Sequence, residues 1–169
     1  LRRRGLYQGM MFSGFQAFWT AVPLALAHEF GMGQGGIAAF ALAGAAGALM
    51  APIAGRLADR GLTRPATGIA IAVALFSFLL GAVAMHYRSL AGLVAAGILL
   101  DGAVQLCQVL NFRSLFMLAP ELRGRLNGLF MTFIFICAAV ASGIAAAVYA
   151  FHGWSGLCLL GGGYVLVAL

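Results

Sequence analysis

The chain has 169 residues, of which 63% are hydrophobic and 8% charged, and its mean hydropathy is +1.03. No soluble core of this size absorbs so much apolar surface, so composition excludes a soluble globular domain and names lipid as the solvent. The net charge of +6 is ten arginines against four acids, with no lysine. The arginines fall in the gaps between apolar runs rather than along one solvated face, so they are no nucleic-acid footprint.

Six apolar runs approach the roughly 20 residues that a spanning helix needs: 6–27, 36–57, 65–85, 90–112, 126–150 and 155–169. Lipid leaves no backbone group unpaired at low cost, and the alternation of a membrane barrel strand is absent. The expected fold is an all-α membrane protein, a bundle of six transmembrane helices. The chain begins without Met and ends inside an apolar run, which reads as a fragment of a longer protein.

The first run follows Arg2, Arg3 and Arg4 and carries Gln8, Ser13, Gln16 and Thr20, with a kink expected at Pro23. The second spaces Ala43, Gly47, Ala51 and Gly55 four apart. That makes a small-residue ridge which lets another backbone come close. Pro52 marks a second kink.

Next comes the tight stretch 55–64, which holds four of the fourteen Arg, Asp and Glu residues: Arg56, Asp59, Arg60 and Arg64. So charged a knot between two membrane-length runs must be a short turn at the membrane surface. Asp59 is placed to cap or neutralise a helix end. The arginines pin the turn to one side of the bilayer.

The third and sixth runs carry almost nothing polar. The fourth carries Asp101, Gln105, Gln108 and Asn111. The fifth carries Asn127, Thr132 and Ser142, and Ala138, Ser142 and Ala146 repeat the small-residue spacing. Polar groups in lipid are costly unless they face protein or water. Runs one, four and five should therefore face an interior, and three and six should face lipid.

Nine of the ten arginines lie in the N-terminal flank and in alternate gaps, and only Arg88 lies in the others. This split puts both chain ends in the cytoplasm of a plasma membrane, expected to be a bacterial inner membrane. It turns 28–35, 86–89 and 151–154 outward.

Asp101 is the one acid inside an apolar run, near the middle of the fourth helix. A charged Asp there costs about 2.5–3.5 kcal/mol on insertion scales. It can face water, pair with a cation or take up a proton, and no arginine lies at comparable depth. Gln105 and Gln108 follow at spacings of four and seven, on the same face. Asp101 is thus the candidate proton carrier. Gln16, Thr20, Asp101, Gln105, Gln108, Asn111 and Thr132 are the candidate lining of a solute cavity. The competing reading of Asp101 is a buried structural acid hydrogen-bonded to a neighbouring helix.

Other patterns carry less. The glycine-rich 31–36 has no lysine or strand beside it, so it is not read as a phosphate loop. Gly153-Trp-Ser-Gly156 resembles the serine motif of rhomboid-type membrane proteases, but no histidine follows His152 to serve as a base. His28, His86 and His152 fall on the outer side and read as interfacial caps. Cys107, Cys137 and Cys158 sit inside apolar runs as small hydrophobes. No metal, cofactor or enzymatic activity is expected.

The loop of Gly55, Asp59, Arg60 and Arg64 resembles the motif between the second and third helices of each half of major facilitator superfamily transporters. Gly61 falls one place early, and Thr63 stands where that family often has a basic residue. The segments 6–20, 101–111 and 120–132 resemble the C-terminal half of sugar- and drug-efflux permeases. Ile136 to Gly143 departs in being richer in alanine than glycine.

The resemblance implies helices seven to twelve of a twelve-helix transporter, with the third helix of each triplet outside. It also implies a loop, Gly55, Asp59, Arg60 and Arg64, that locks the outward-facing state. The implied function is proton-coupled efflux of a small sugar-like or drug-like solute by alternating access. The implied partners are protons, the solute, the lipid bilayer and a missing N-terminal six-helix half. The alternatives are an importer of the same fold and a non-transporting assembly protein.

Overall fold

Among the described residues, Gly31, Gly61, Arg88 and Gly153 have positive φ and punctuate the chain. Around them the computed structural model, which describes residues 2–117 and 123–169, is helical. α1 is Arg2–Phe30. The second span is α2, Gln34–Gly44, then a 3-10 turn, Ala45–Leu49, then α3, Met50–Asp59. α4 is Thr63–His86, α5 is Leu90–Phe116 and α6 is Arg123–Val167. No strand occurs among the described residues. The segment 120–132 is only partly described, because its first three residues fall outside.

Two turns share one hydrogen-bond pattern. After α3, Leu62 N–H donates to Leu57 O and Gly61 N–H to Ala58 O, each at 3.0 Å. After α4, Ser89 N–H donates to Ala84 O at 2.8 Å and Arg88 N–H to Met85 O at 3.1 Å. Both ends satisfy the orphan carbonyls of a helix terminus.

The break in the second span has a chemical cause. Pro52 lacks an N–H and its ring crowds the carbonyl four residues back. The 3-10 turn falls on that preceding stretch, which absorbs the mismatch. At Pro23, by contrast, α1 continues as helix.

The sequence leads one to expect two separate helices at 126–150 and 155–169. Instead helix continues on both sides of Gly153, whose φ of 63° and ψ of −158° are the only break in α6. With α6 taken whole across Gly153, five helical stretches among the described residues are long and apolar enough to cross a membrane, where six were expected. The two arms of α6 nevertheless run in opposite directions. The first follows α1: Ser13 Oγ lies 3.4 Å from Cys137 O and Thr20 Oγ1 lies 2.8 Å from Ser142 Oγ. The second returns: Trp154 stacks edge-on with Phe18 at 5.6 Å, and Val165 packs against Gly14. One glycine with positive φ reverses the chain where a four-residue turn was expected.

The core lies between α1, α4, α5 and the second arm of α6, with Phe18, Leu26, Leu93, Leu100 and Leu157 fully buried or nearly so. Trp154 Nε1 donates to Gly81 O at 3.0 Å and pins the returning arm to α4. Ile69, Phe76, Leu79 and Val83 of α4 are exposed, while Ala66, Ala70, Ala74 and Phe78 on its other side are buried. Leu42, Leu49, Phe151 and Leu159 are also exposed. Such a coat suits a hydrocarbon solvent or further protein. The molecule is an integral membrane protein.

Candidate functional site

α1 and α5 each carry a half-buried stripe at helical spacing. On α1 it runs through Phe12, Phe15, Gln16, Trp19 and Thr20, and on α5 through Val94, Ile98, Asp101, Gln105 and Gln108. Steps of three and four keep each set on one helix face. Phe18, on the same helix as the first stripe, is buried in the core instead. The two stripes are tied together at one level, where Trp19 Nε1 donates to Asp101 Oδ1 at 2.8 Å.

The second span closes on the same level. A Cβ added at Gly44 would lie 2.9 Å from Asp101 Oδ2 and would collide with the Trp19 ring. One at Gly47 would lie 2.7 Å from Gly102 N and would collide with the Asp101 side chain. Gly47, one member of the small-residue ridge read from the sequence, thus lies on the seam between the second span and α5 together with Gly44, whereas a Cβ at Gly55 would meet open space. Phe40 and Phe15 hold the Trp19 ring from either side, at 5.9 and 6.3 Å. Asp101 enters no ion pair among the described residues. Its carboxylate therefore faces one neutral donor and a partly open side.

Asn111 departs from the expected lining. It is fully buried and sits in a polar network between α1, α4 and α5. Its Nδ2 donates to Gln8 Oε1 at 3.1 Å and to Cys107 Sγ at 3.3 Å. Its Oδ1 accepts from Arg4 Nη1 at 3.2 Å, and the same nitrogen donates to Thr67 Oγ1 at 3.2 Å. Arg4 can only donate, so it fixes which way the Asn111 amide points. That in turn fixes Gln8 and leaves Gln8 Nε2 buried without a partner.

Thr20 donates to Gln16 O at 2.7 Å or meets Ser142. Thr132 is exposed on the first arm of α6, away from these groups. Of the seven expected lining residues, Asp101, Gln105 and Gln108 share one stripe and Gln16 and Thr20 share the other. Asn111 and Thr132 belong to neither.

At the charged turn, Asp59 accepts from Arg113 Nη1, near the C-terminal end of α5, and the same nitrogen donates to Gly55 O at 2.9 Å. Arg60 and Arg64 are exposed. At the opposite end Glu29 and Arg88 pair at 3.3 Å, both largely exposed, beside exposed His28, His86 and His152. No group of three metal-ligating side chains occurs among the described residues.

Two clefts of about 490 Å³ lie near the end of the bundle where Arg4 and Arg64 sit, away from Asp101. One is apolar, between Leu6, Leu115 and Phe130. The other is lined by Arg4, Tyr7, Arg64 and Thr67 among others.

Sequence reasoning missed Trp19, Arg113 as the partner of Asp59, and Arg4 as an inward donor. Trp19 carried a readable signal, since it lies three and four residues from Gln16 and Phe15 on one helix face. The partnerships of Arg4 and Arg113 carried none, because both reach across to other helices.

The sequence pattern of the Major Facilitator Superfamily matches residues 5–169. A putative uncharacterized transporter of Escherichia coli strain K12, YgaY, is 36% identical over 170 residues, covering 100% of this chain and 43% of that protein. A probable transporter of Streptomyces coelicolor, SCO4007, is 30% identical over 172 residues, covering 99% of this chain and 39% of that protein. The chain thus spans less than half the length of these curated relatives. No solved structure matches it.

Proposed function

The chain belongs to the Major Facilitator Superfamily, and from that membership we propose that it forms the C-terminal half of a transporter that exports a small solute in exchange for protons. In this reading α1, the second span, α4, α5 and the two arms of α6 are spans seven to twelve. The N-terminal half packs against their exposed apolar faces. The membrane is a bacterial inner membrane, with both ends of this half in the cytoplasm. The solute is sugar-like or drug-like, and alternating access moves it.

One observation carries the reading. Asp101 lies mid-helix with no cation beside it, on a half-buried stripe shared with Gln105 and Gln108 and hydrogen-bonded to the facing stripe. The Trp19 bond is one that a structural acid held by a neighbouring helix would also make; what favours the proton carrier is that Asp101 stays only half-buried. An acid left partly open at that depth suits a group that gains and loses a proton. Gln16, Thr20, Gln105 and Gln108 are then solute contacts.

The test is Asp101→Asn in the full-length transporter reconstituted in vesicles. It should abolish solute movement driven by a pH gradient while solute binding persists. Pumping with normal pH dependence would overturn the proton role. Sidedness is checked separately. Cysteines placed at Arg60 and Arg88, in a background without native cysteines, should label oppositely with an impermeant thiol reagent in intact cells. Equal labelling would sink the topology.

A further inference from the structure

We propose that the cleft between the arginine-rich ends of α1, α4 and the returning arm of α6 binds the phosphate of an anionic lipid headgroup. The cleft measures about 490 Å³, and its polar wall is Arg4, Tyr7, Arg64 and Thr67. The rest of its lining is apolar: Gly68, Ile71, Ala168 and Leu169. Charged and hydrogen-bonding groups beside apolar ones suit a lipid at the membrane surface, which offers a phosphate and the start of an acyl chain together.

Three features point the same way. First, two guanidinium groups line the cleft, and neither pairs with a carboxylate among the described residues. Guanidinium groups match phosphate oxygens with paired N–H donors.

Second, Arg4 is held in place rather than loose. Its Nη1 donates to Thr67 Oγ1 and Asn111 Oδ1, both at 3.2 Å. These acceptors are neutral, so they orient the guanidinium and leave its charge uncompensated.

Third, α4 begins at this cleft without an N-cap. Leu62 provides no side-chain acceptor and the first turn holds no acid. The first helical bond recorded there runs from Ala66 N–H to Leu62 O. The N–H groups of Thr63 and Arg64 have no acceptor within the helix, and Pro65 has none to offer. A cation in the first turn opposes the helix dipole, and an anion between the two arginines would offset that.

A general attraction of arginines to lipid phosphates would not need a cleft, so the test compares two arginines. Arg64 lines the cleft, while Arg60 lies in the same turn region and does not. The full-length transporter is purified and its lipid adducts are measured by native mass spectrometry, with thermal stability measured in parallel. The probes are phosphatidylglycerol, phosphatidylcholine and inorganic phosphate.

Phosphatidylglycerol should bind and raise the melting temperature, whereas phosphatidylcholine and inorganic phosphate should not. Arg64→Gln should weaken phosphatidylglycerol about fivefold, the loss of roughly one cation near an anionic headgroup. Arg60→Gln should leave it unchanged. Arg64→Lys, which keeps the charge, should retain most of the binding. An equal loss from Arg60→Gln would reduce the site to surface charge. Equal stabilisation by inorganic phosphate would make the ligand a free anion. Binding of phosphatidylcholine as strong as that of phosphatidylglycerol would remove the anion requirement. Any of the three overturns the proposal.

Discussion

α5 meets α1 through polar groups at two levels, and the two contacts are built differently. At the Asp101 level the carboxylate receives one N–H from Trp19 and faces a half-buried stripe. At the Asn111 level, ten residues on, every polar group but one is consumed within the protein. The first pairs a formal charge with a neutral donor. The second pairs neutral amides with an arginine drawn in from the helix end. The same two helices thus hold a nearly closed joint of amides around Arg4 near one membrane face and a partly open one around Asp101 deeper in. Stability is expected to depend on the Asn111 level and transport on the Asp101 level.

The largest divergence should come from treating the two levels alike. Asp101→Asn is close to isosteric and removes a charge that nothing among the described residues neutralises. It should leave the melting temperature almost unmoved while abolishing proton-driven transport. Asn111→Leu should do the reverse. It orphans Gln8 Oε1 and one bond from Arg4 in a buried site, at a cost of about 1–2 kcal/mol. Thermal unfolding in detergent would show the drop, while transport per folded molecule should stay near normal. If Asn111→Leu stops transport without lowering stability, the division of labour is wrong.

Trp19→Phe probes the Asp101 level alone and is expected to have a smaller effect. It keeps an aromatic ring against Phe40 and Phe15 but removes the N–H that holds Asp101. Packing should survive, so stability should change by less than in Asn111→Leu. The pH profile of transport should move, because the group that would carry the proton has lost its donor. A profile identical to that of the parent would make Trp19 a packing residue only.

How much of this was legible depended on whether the signal lay within one helix. The stripe of Asp101, Gln105 and Gln108 follows from spacing alone, and the structure keeps them together. Gly47 belongs to a within-helix pattern too, and it lies against Asp101, though the neighbouring contact at Gly44 is off that pattern. Asn111 was indistinguishable from Gln108 in sequence, since both are amides on one helix, three residues apart. What separates them is Gln8 on α1, and no spacing rule reports a partner one hundred residues away. The reversal at Gly153 was placed correctly but drawn too long, because helical residues run up to the glycine on both sides. The irregularity expected from Pro52 is present and falls on the turn before it, because proline disturbs the carbonyl four residues back.

The smallest expected effect on stability lies at the end of α5, at the charged turn. Asp59 accepts from Arg113, and both side chains are about half exposed or more. Water and salt screen such a pair, so it contributes under about 1 kcal/mol. Arg113 also donates to Gly55 O, so it can hold the turn by a bond that does not depend on the acid. Asp59→Asn keeps the side-chain shape and the neutral acceptor oxygen. It should therefore fold and insert like the parent, with a change in melting temperature too small to rank beside Asn111→Leu. Its effect on transport is the informative quantity. If the turn helps hold one state of the transporter, a lost charge of that size shifts a balance between states rather than removing a step. The rate should fall partially, and raising the salt concentration should bring the parent toward the variant, since salt screens the pair. A rate equal to the parent at low salt would leave the turn as an orientation signal alone.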